Sequence, residues 1–139
     1  MADRPAVLDD DARWAIEAAR AADAKSAEDV VVLEVGPVMA LCGYFVIASG
    51  SNNRLVKTVA EEVEQRVSDA GGPKPLRTEG MDDLRWVLLD YGDFVVHVFA
   101  DEARRFYDLE RLWSDVARIE WRQPATAAAD TMSGGQDRP

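Results

Sequence analysis

One histidine and one cysteine, His97 and Cys42, are all that this 139-residue chain has of either type, which narrows its possible chemistry. Any Ser–His or Cys–His pair would have to use His97. That residue lies between Val96 and Val98, in a strand-like run where a histidine serves structure or an interface more readily than proton transfer. Cys42 sits in the apolar stretch Met39-Ala40-Leu41-Cys42-Gly43, with no flanking cation to hold a thiolate, and reads as a small buried hydrophobe. One cysteine allows no intramolecular disulfide, and one cysteine with one histidine nearly excludes a zinc site.

The carboxylates are numerous but scattered. Asp82 and Asp83 are adjacent and cannot point the same way on a strand. Asp108 and Glu110 are two apart and diverge on a helix. No Asp-x-Asp stands on an expected strand, as two-metal chemistry would need. These acids read as solvated surface. Ser49-Gly50-Ser51 joins an expected strand to an expected helix, where free N–H groups could cradle an anion. The full phosphate-loop pattern and its lysine are missing, so helix-cap chemistry is the better reading.

The most informative segment is Leu84–Phe99, two apolar runs flanking Asp90-Tyr91-Gly92-Asp93. This is a hairpin signal. A loop of Tyr91-Gly92, or of all four residues, would set Leu89 opposite Phe94, Val87 opposite Val96 and Trp86 opposite His97. One face then carries Val87, Leu89, Phe94, Val96 and Val98 and is core. The other carries Leu84, Trp86, Leu88, Asp90, Val95, His97 and Phe99. It could be a second core layer under helices, or an exposed binding surface, since large aromatic groups with a few polar partners make interface anchors.

Other elements must hold this hairpin. Asp9, Asp10 and Asp11 favour a helix N-terminus, and Ala12 to about Ala24 is an alanine-rich helix. Val30–Val35 and Tyr44–Ala48 are apolar strands. Leu55, Val56, Val59, Ala60, Val63 and Val67 form the apolar stripe of a long helix that Gly71-Gly72-Pro73 ends. Pro75–Thr78 is a possible short strand. A final helix runs from Asp101 to between Trp113 and Val116, with Phe106, Leu109, Leu112 and Trp113 on one stripe. The order α-β-β-α-β-β-β-α implies an α/β (α+β) fold, a mixed central sheet flanked by helices. Residues 1–8 read as a flexible leader, 9–121 as one domain and 122–139 as a disordered tail.

Composition sets outer limits. With 47% hydrophobic residues a real core is available. Lys and Arg total 16 against 26 Asp and Glu, a formal charge of −10, which disfavours binding to free nucleic acid and favours a basic protein partner. No stretch approaches the roughly 18 apolar residues of a membrane span, and no signal-peptide core follows Met1. A cytoplasmic protein is the expectation.

Several segments together resemble the ribosomal silencing factor (Iojap-like) family. They are Asp23-Ala-Lys-Ser-Ala-Glu-Asp-Val-Val-Val-Leu-Glu-Val35, Tyr44-Phe-Val-Ile-Ala-Ser-Gly-Ser51, Glu79-Gly80, Trp86-Val-Leu-Leu-Asp-Tyr-Gly-Asp93, Val95-Val-His-Val-Phe99 and Glu102-Ala-Arg-Arg-Phe-Tyr-Asp-Leu-Glu-Arg-Leu-Trp113. The resemblance runs over roughly residues 12–116. It implies a nucleotidyltransferase-like core without catalytic acids, no cofactor and no enzymatic activity. It also implies a translational repressor that binds the large ribosomal subunit through the basic ribosomal protein L fourteen and blocks joining of the small subunit. Little direct nucleic acid contact, no membrane and a possible homodimer in the free state complete the expectation. Carried over by position, the partner-binding residues are Trp86, Leu88, Asp90, Tyr91 and His97. Where the family usually has an aspartate before the Tyr-Phe of the second strand, this chain has Gly43. The alternative is a nucleotidyltransferase-like enzyme that holds a nucleotide at Ser49-Gly50-Ser51 and a metal at Asp90.

Overall fold

A computed structural model describes residues 10–40 and 42–122. The expected leader and all but the first residue of the expected tail lie outside that range. Nine elements follow in order: α1 (Asp10–Ala24), β1 (Glu28–Glu34), β2 (Tyr44–Gly50), α2 (Asn53–Asp69), β3 (Arg77–Glu79), β4 (Trp86–Asp90), β5 (Phe94–Ala100), α3 (Asp101–Tyr107) and α4 (Leu109–Leu112). The strands form one mixed sheet in the order β1-β2-β5-β4-β3. The β2–β5 pair is parallel and the other pairs are antiparallel. As expected for a sheet with helices on both faces, β2, an inner strand between β1 and β5, is buried along its whole length.

One face packs on α1 and α2. Ala12, Ala15, Ala18, Ala19, Ala21 and Ala22 are all buried there, and their small side chains let α1 settle close to its neighbours. Val56, Val59, Ala60, Val63 and Val67 of α2 complete this layer, over Val87, Leu89, Phe94, Val96 and Val98. Asn52 caps α2, its Oδ1 accepting from Leu55 N at 2.8 Å. The opposite face holds Phe45, Ile47 and Phe99 beneath Ala103, Leu109, Trp113 and Val116.

Two expectations need correction. The hairpin register differs by two positions: Trp86 pairs with Phe99, Val87 with Val98, Leu88 with His97 and Leu89 with Val96. The reason lies in the turn. Tyr91 N donates to Phe94 O at 2.9 Å, so Tyr91 belongs to the ladder, and Gly92-Asp93 alone makes the loop. Gly92 supplies the required positive φ of 89°. A two-position shift preserves which residues share a face.

The last helix is also not continuous. Asp108 adopts the left-handed conformation (φ 47°, ψ 51°) and separates α3 from α4. Ala103 and Arg104 turn inward instead, Leu109 and Trp113 still pack on the sheet, and Phe106 and Leu112 face outward, 76% and 77% exposed.

The chain beyond α4 does what its sequence pattern did not announce. It runs along the outer edge of β1, where Glu34 N donates to Ala117 O and Ile119 N to Val32 O, both at 2.9 Å. Trp121 is buried against the α1 side, its Nε1 donating to Val30 O at 3.1 Å. Among the described residues, no helix is long and apolar enough to cross a membrane.

Candidate functional site

The second hairpin face is both things the sequence allowed, divided along its length. Phe99 is fully buried beneath α3 and α4. Trp86, Leu88, Asp90 and Val95 are half-buried. Trp86 lies 4.8 Å from the Phe99 ring and 4.7 Å from Tyr107, and Phe106 stands edge-on to Tyr107 at 5.0 Å. Below Trp86, a recess of about 300 Å³ is lined by Glu79, Gly80, Trp86 and Leu88. The result is a surface running from Leu88 through Trp86 to Tyr107 and Phe106, with large aromatic groups open to a partner. Phe106 and Tyr107 were not among the expected contact residues. The sequence pattern puts Phe106 on an apolar stripe with Leu109, Leu112 and Trp113 and gives Tyr107 no role.

The other expected residues divide. His97 is only 5% exposed and cannot itself meet a partner. Its Nδ1 accepts from Trp86 Nε1 at 3.1 Å, so it lies directly behind the indole. Tyr91 is buried in the opposite layer, stacked on Phe94 at 4.4 Å. Burial, and then the charge of Glu64, push its phenol pKa upward. It holds the turn and does not reach the surface that Trp86 shares. Asp90 is at the edge of the patch but already engaged: its Oδ1 accepts from Gly92 N at 2.9 Å, and its Oδ2 lies 3.4 Å from Arg77 Nη2. Exposed acids near the hairpin include Asp82 and Asp83 in the preceding loop and Asp93 in the turn itself.

The alternative site is likewise occupied by structural bonds. Ser49 is buried and its Oγ accepts from Arg104 Nη1 at 2.7 Å, while the Asn52 side chain takes the Leu55 N–H of the α2 N-terminus. Asp90 likewise spends its carboxylate on its own turn and on Arg77. Cys42 donates to Tyr44 O at 3.3 Å, and burial raises its pKa, which keeps it a thiol.

The chain matches the family model described as "Ribosomal silencing factor during starvation" over residues 9–138. The chain belongs to the ribosomal silencing factor family. Among its relatives, ribosomal silencing factor RsfS of Bacillus subtilis is 41% identical over 98 residues, covering 70% of this chain and 82% of that one. The mouse protein named mitochondrial assembly of ribosomal large subunit protein 1 is 32% identical over 111 residues, covering 78% of this chain and 47% of that one. The crystal structure of a Chromobacterium violaceum protein superposes with a TM-score of 0.71 at 30% identity, covering 82% of this chain and 97% of the other. Membership fits a regulatory role better than an enzymatic one, since the family is named for silencing and not for a reaction.

His97 also makes stability depend on pH. Burial lowers its pKa from 6.5 to about 4. Below pH 6.5 the unfolded chain takes up a proton that the folded chain refuses. Its contribution is therefore fully present above pH 6.5 and is lost as the pH falls toward about 4, a loss of about 3 kcal/mol. Urea unfolding across this range should show that decline, and His97→Leu should flatten it. Glu110 acts lower down. Burial raises its carboxyl pKa, but the hydrogen bond and charge of Arg104 outweigh this and hold it below 4.5, so its contribution disappears only as the pH drops through that lower value.

Proposed function

We propose that this chain is a translational repressor that acts in the cytoplasm without making or breaking covalent bonds. It binds the large ribosomal subunit through the basic ribosomal protein L fourteen and obstructs docking of the small subunit. Family membership supports the ribosomal setting, and the name of the mouse relative points to the large subunit. The observation that carries the proposal is the half-buried Trp86, presented beside Leu88, Tyr107 and Phe106 on an otherwise well-packed sheet. A half-buried aromatic ring held by its neighbours is the kind of group that anchors an interface. Exposed Asp82, Asp83 and Asp93 nearby, together with the −10 charge, speed encounter with a basic protein and disfavour deep contact with RNA phosphates.

Trp86→Ala is expected to weaken binding to purified large subunits by about 2 kcal/mol, roughly thirtyfold, while far-ultraviolet circular dichroism stays unchanged. Co-sedimentation measures the affinity, and light scattering on mixed subunits measures joining. Undiminished co-sedimentation of a folded Trp86→Ala chain would move the site elsewhere. Binding that leaves joining unimpeded would remove the obstruction mechanism. Asp90, already committed to Gly92 and Arg77, contributes mainly by keeping the hairpin in shape.

A further inference from the structure

Trp86 is half-buried, and one of the contacts that hold it is chemically expensive. The indole N–H donates to His97 Nδ1 at 3.1 Å. A neutral imidazole that accepts at Nδ1 must carry its own proton on Nε2. That Nε2 is buried and has no hydrogen-bond partner among the described residues. The imidazole is wedged in place by Phe45, edge-on at 4.7 Å, and by Phe99, parallel at 6.3 Å. Leucine or phenylalanine could fill such an apolar slot with no stranded donor. What histidine adds is the acceptor aimed at the indole.

We propose that His97 is the positioning residue of the docking surface: it fixes the Trp86 ring so that it meets the partner in a single orientation. This rests on the docking role of Trp86 proposed above. The strand pairing supplies the geometry. Leu88 stands opposite His97 and Trp86 opposite Phe99, so Trp86 and His97 are diagonal neighbours on one face, within reach of a long aromatic side chain. The indole is then held by Phe99 beneath it, by Tyr107 beside it and by His97 at its N–H. Without the last of these, the ring could rotate about its side-chain bonds, and ordering it again on binding would cost affinity.

The wild-type chain offers the first test. Nitrogen-15 NMR should find His97 protonated on Nε2, with a through-bond coupling between its Nδ1 and Trp86 Nε1. The opposite tautomer, or no coupling, overturns the proposal. Binding gives the second. His97→Leu removes the acceptor and the stranded donor together, so the chain should remain folded near neutral pH yet bind large subunits about tenfold more weakly. His97→Asn, whose side-chain oxygen stands near the position of Nδ1, should recover much of that loss. In a Trp86→Phe background, which has no N–H to hold, His97→Leu should have little further effect. An equal loss in both backgrounds would make His97 a packing residue only. If Trp86→Ala itself leaves binding intact, the docking reading fails instead. If Trp86→Ala weakens binding but a folded His97→Leu chain binds like the wild type, the positioning role alone fails.

Discussion

Arg104→Ala is expected to lower the free energy of unfolding by about 4 kcal/mol, the scale on which removing one partner of a buried ion pair acts. The guanidinium is nearly enclosed and uses its whole fork. Nη1 donates to Ser49 Oγ at 2.7 Å, Nη2 to Asp29 O at 2.8 Å, and Nε and Nη2 to Glu110 Oε2 at 3.2 and 2.7 Å. One side chain thus ties β1, β2, α3 and α4 together. The backbone accommodates it: the β1–β2 register slips between Glu28 and Val31, and Asp29 there has a φ of 50°. Truncation would strand a buried hydroxyl, a carbonyl and a half-buried carboxylate. Arg104→Lys should recover only part of the loss, because an ammonium cannot reproduce the planar fork. The double change Arg104→Leu with Glu110→Leu should cost less than Arg104→Ala alone, since no unpaired charge remains. Urea unfolding near neutral pH measures all three, and a loss below about 1 kcal/mol for Arg104→Ala would show the pair to behave like a surface one.

Gly80→Ala should be comparably severe, by about 4 kcal/mol, through a backbone collision. Gly80 has a φ of 89°, which L residues with side chains adopt at a cost, and a Cβ there would run into the carbonyl oxygen of Trp86 and lie 3.0 Å from its carbonyl carbon. Backbone on one side and backbone on the other leave nothing flexible to move aside. Gly71→Ala is the control: its φ is 94°, but no atom lies within 4 Å of a Cβ there, so only the conformational cost of about 1 kcal/mol applies. Thermal unfolding of the two variants separates strain from collision. Because Gly80 lines the recess beneath Trp86, any Gly80→Ala chain that remains folded should also bind large subunits poorly.

Most of the fold was legible because its signals are local. Alternation assigned every residue from Trp86 to Asp90 and from Phe94 to Phe99 to the correct face, and the spacing of Val56, Val59, Ala60, Val63 and Val67 drew the buried side of α2. The turn was harder. Asp90-Tyr91-Gly92-Asp93 permits more than one hairpin closure, and the choice was made by Tyr91 stacking on Phe94 in the core, which is a tertiary event. The break at Asp108 was invisible for a related reason. An aspartate tolerates the left-handed conformation better than most residues but does not require it, and the pairing of Arg104 with Glu110 spans the break.

The candidate site was half legible. Pattern and family resemblance led to Trp86 and Leu88. Exposure depends on where α3 and α4 end, so Phe106 and Tyr107 were missed, the burial of His97 was only one of two open readings, and that of Tyr91 was not foreseen. Ser49 shows the same limit. Its partner Arg104 lies 55 residues away, and nothing in a strand-to-helix turn announces a distant guanidinium.

The segment after α4 has a consequence for any shortened form of this molecule. With Ala117 and Ile119 in place, the amide of Glu34 and the carbonyl of Val32 are already satisfied by the chain itself, and the sheet offers little there for a stranger to extend. Removing that segment would leave the valine-rich border of β1 unsheathed, inviting molecule-to-molecule zippering of the kind that seeds fibrils.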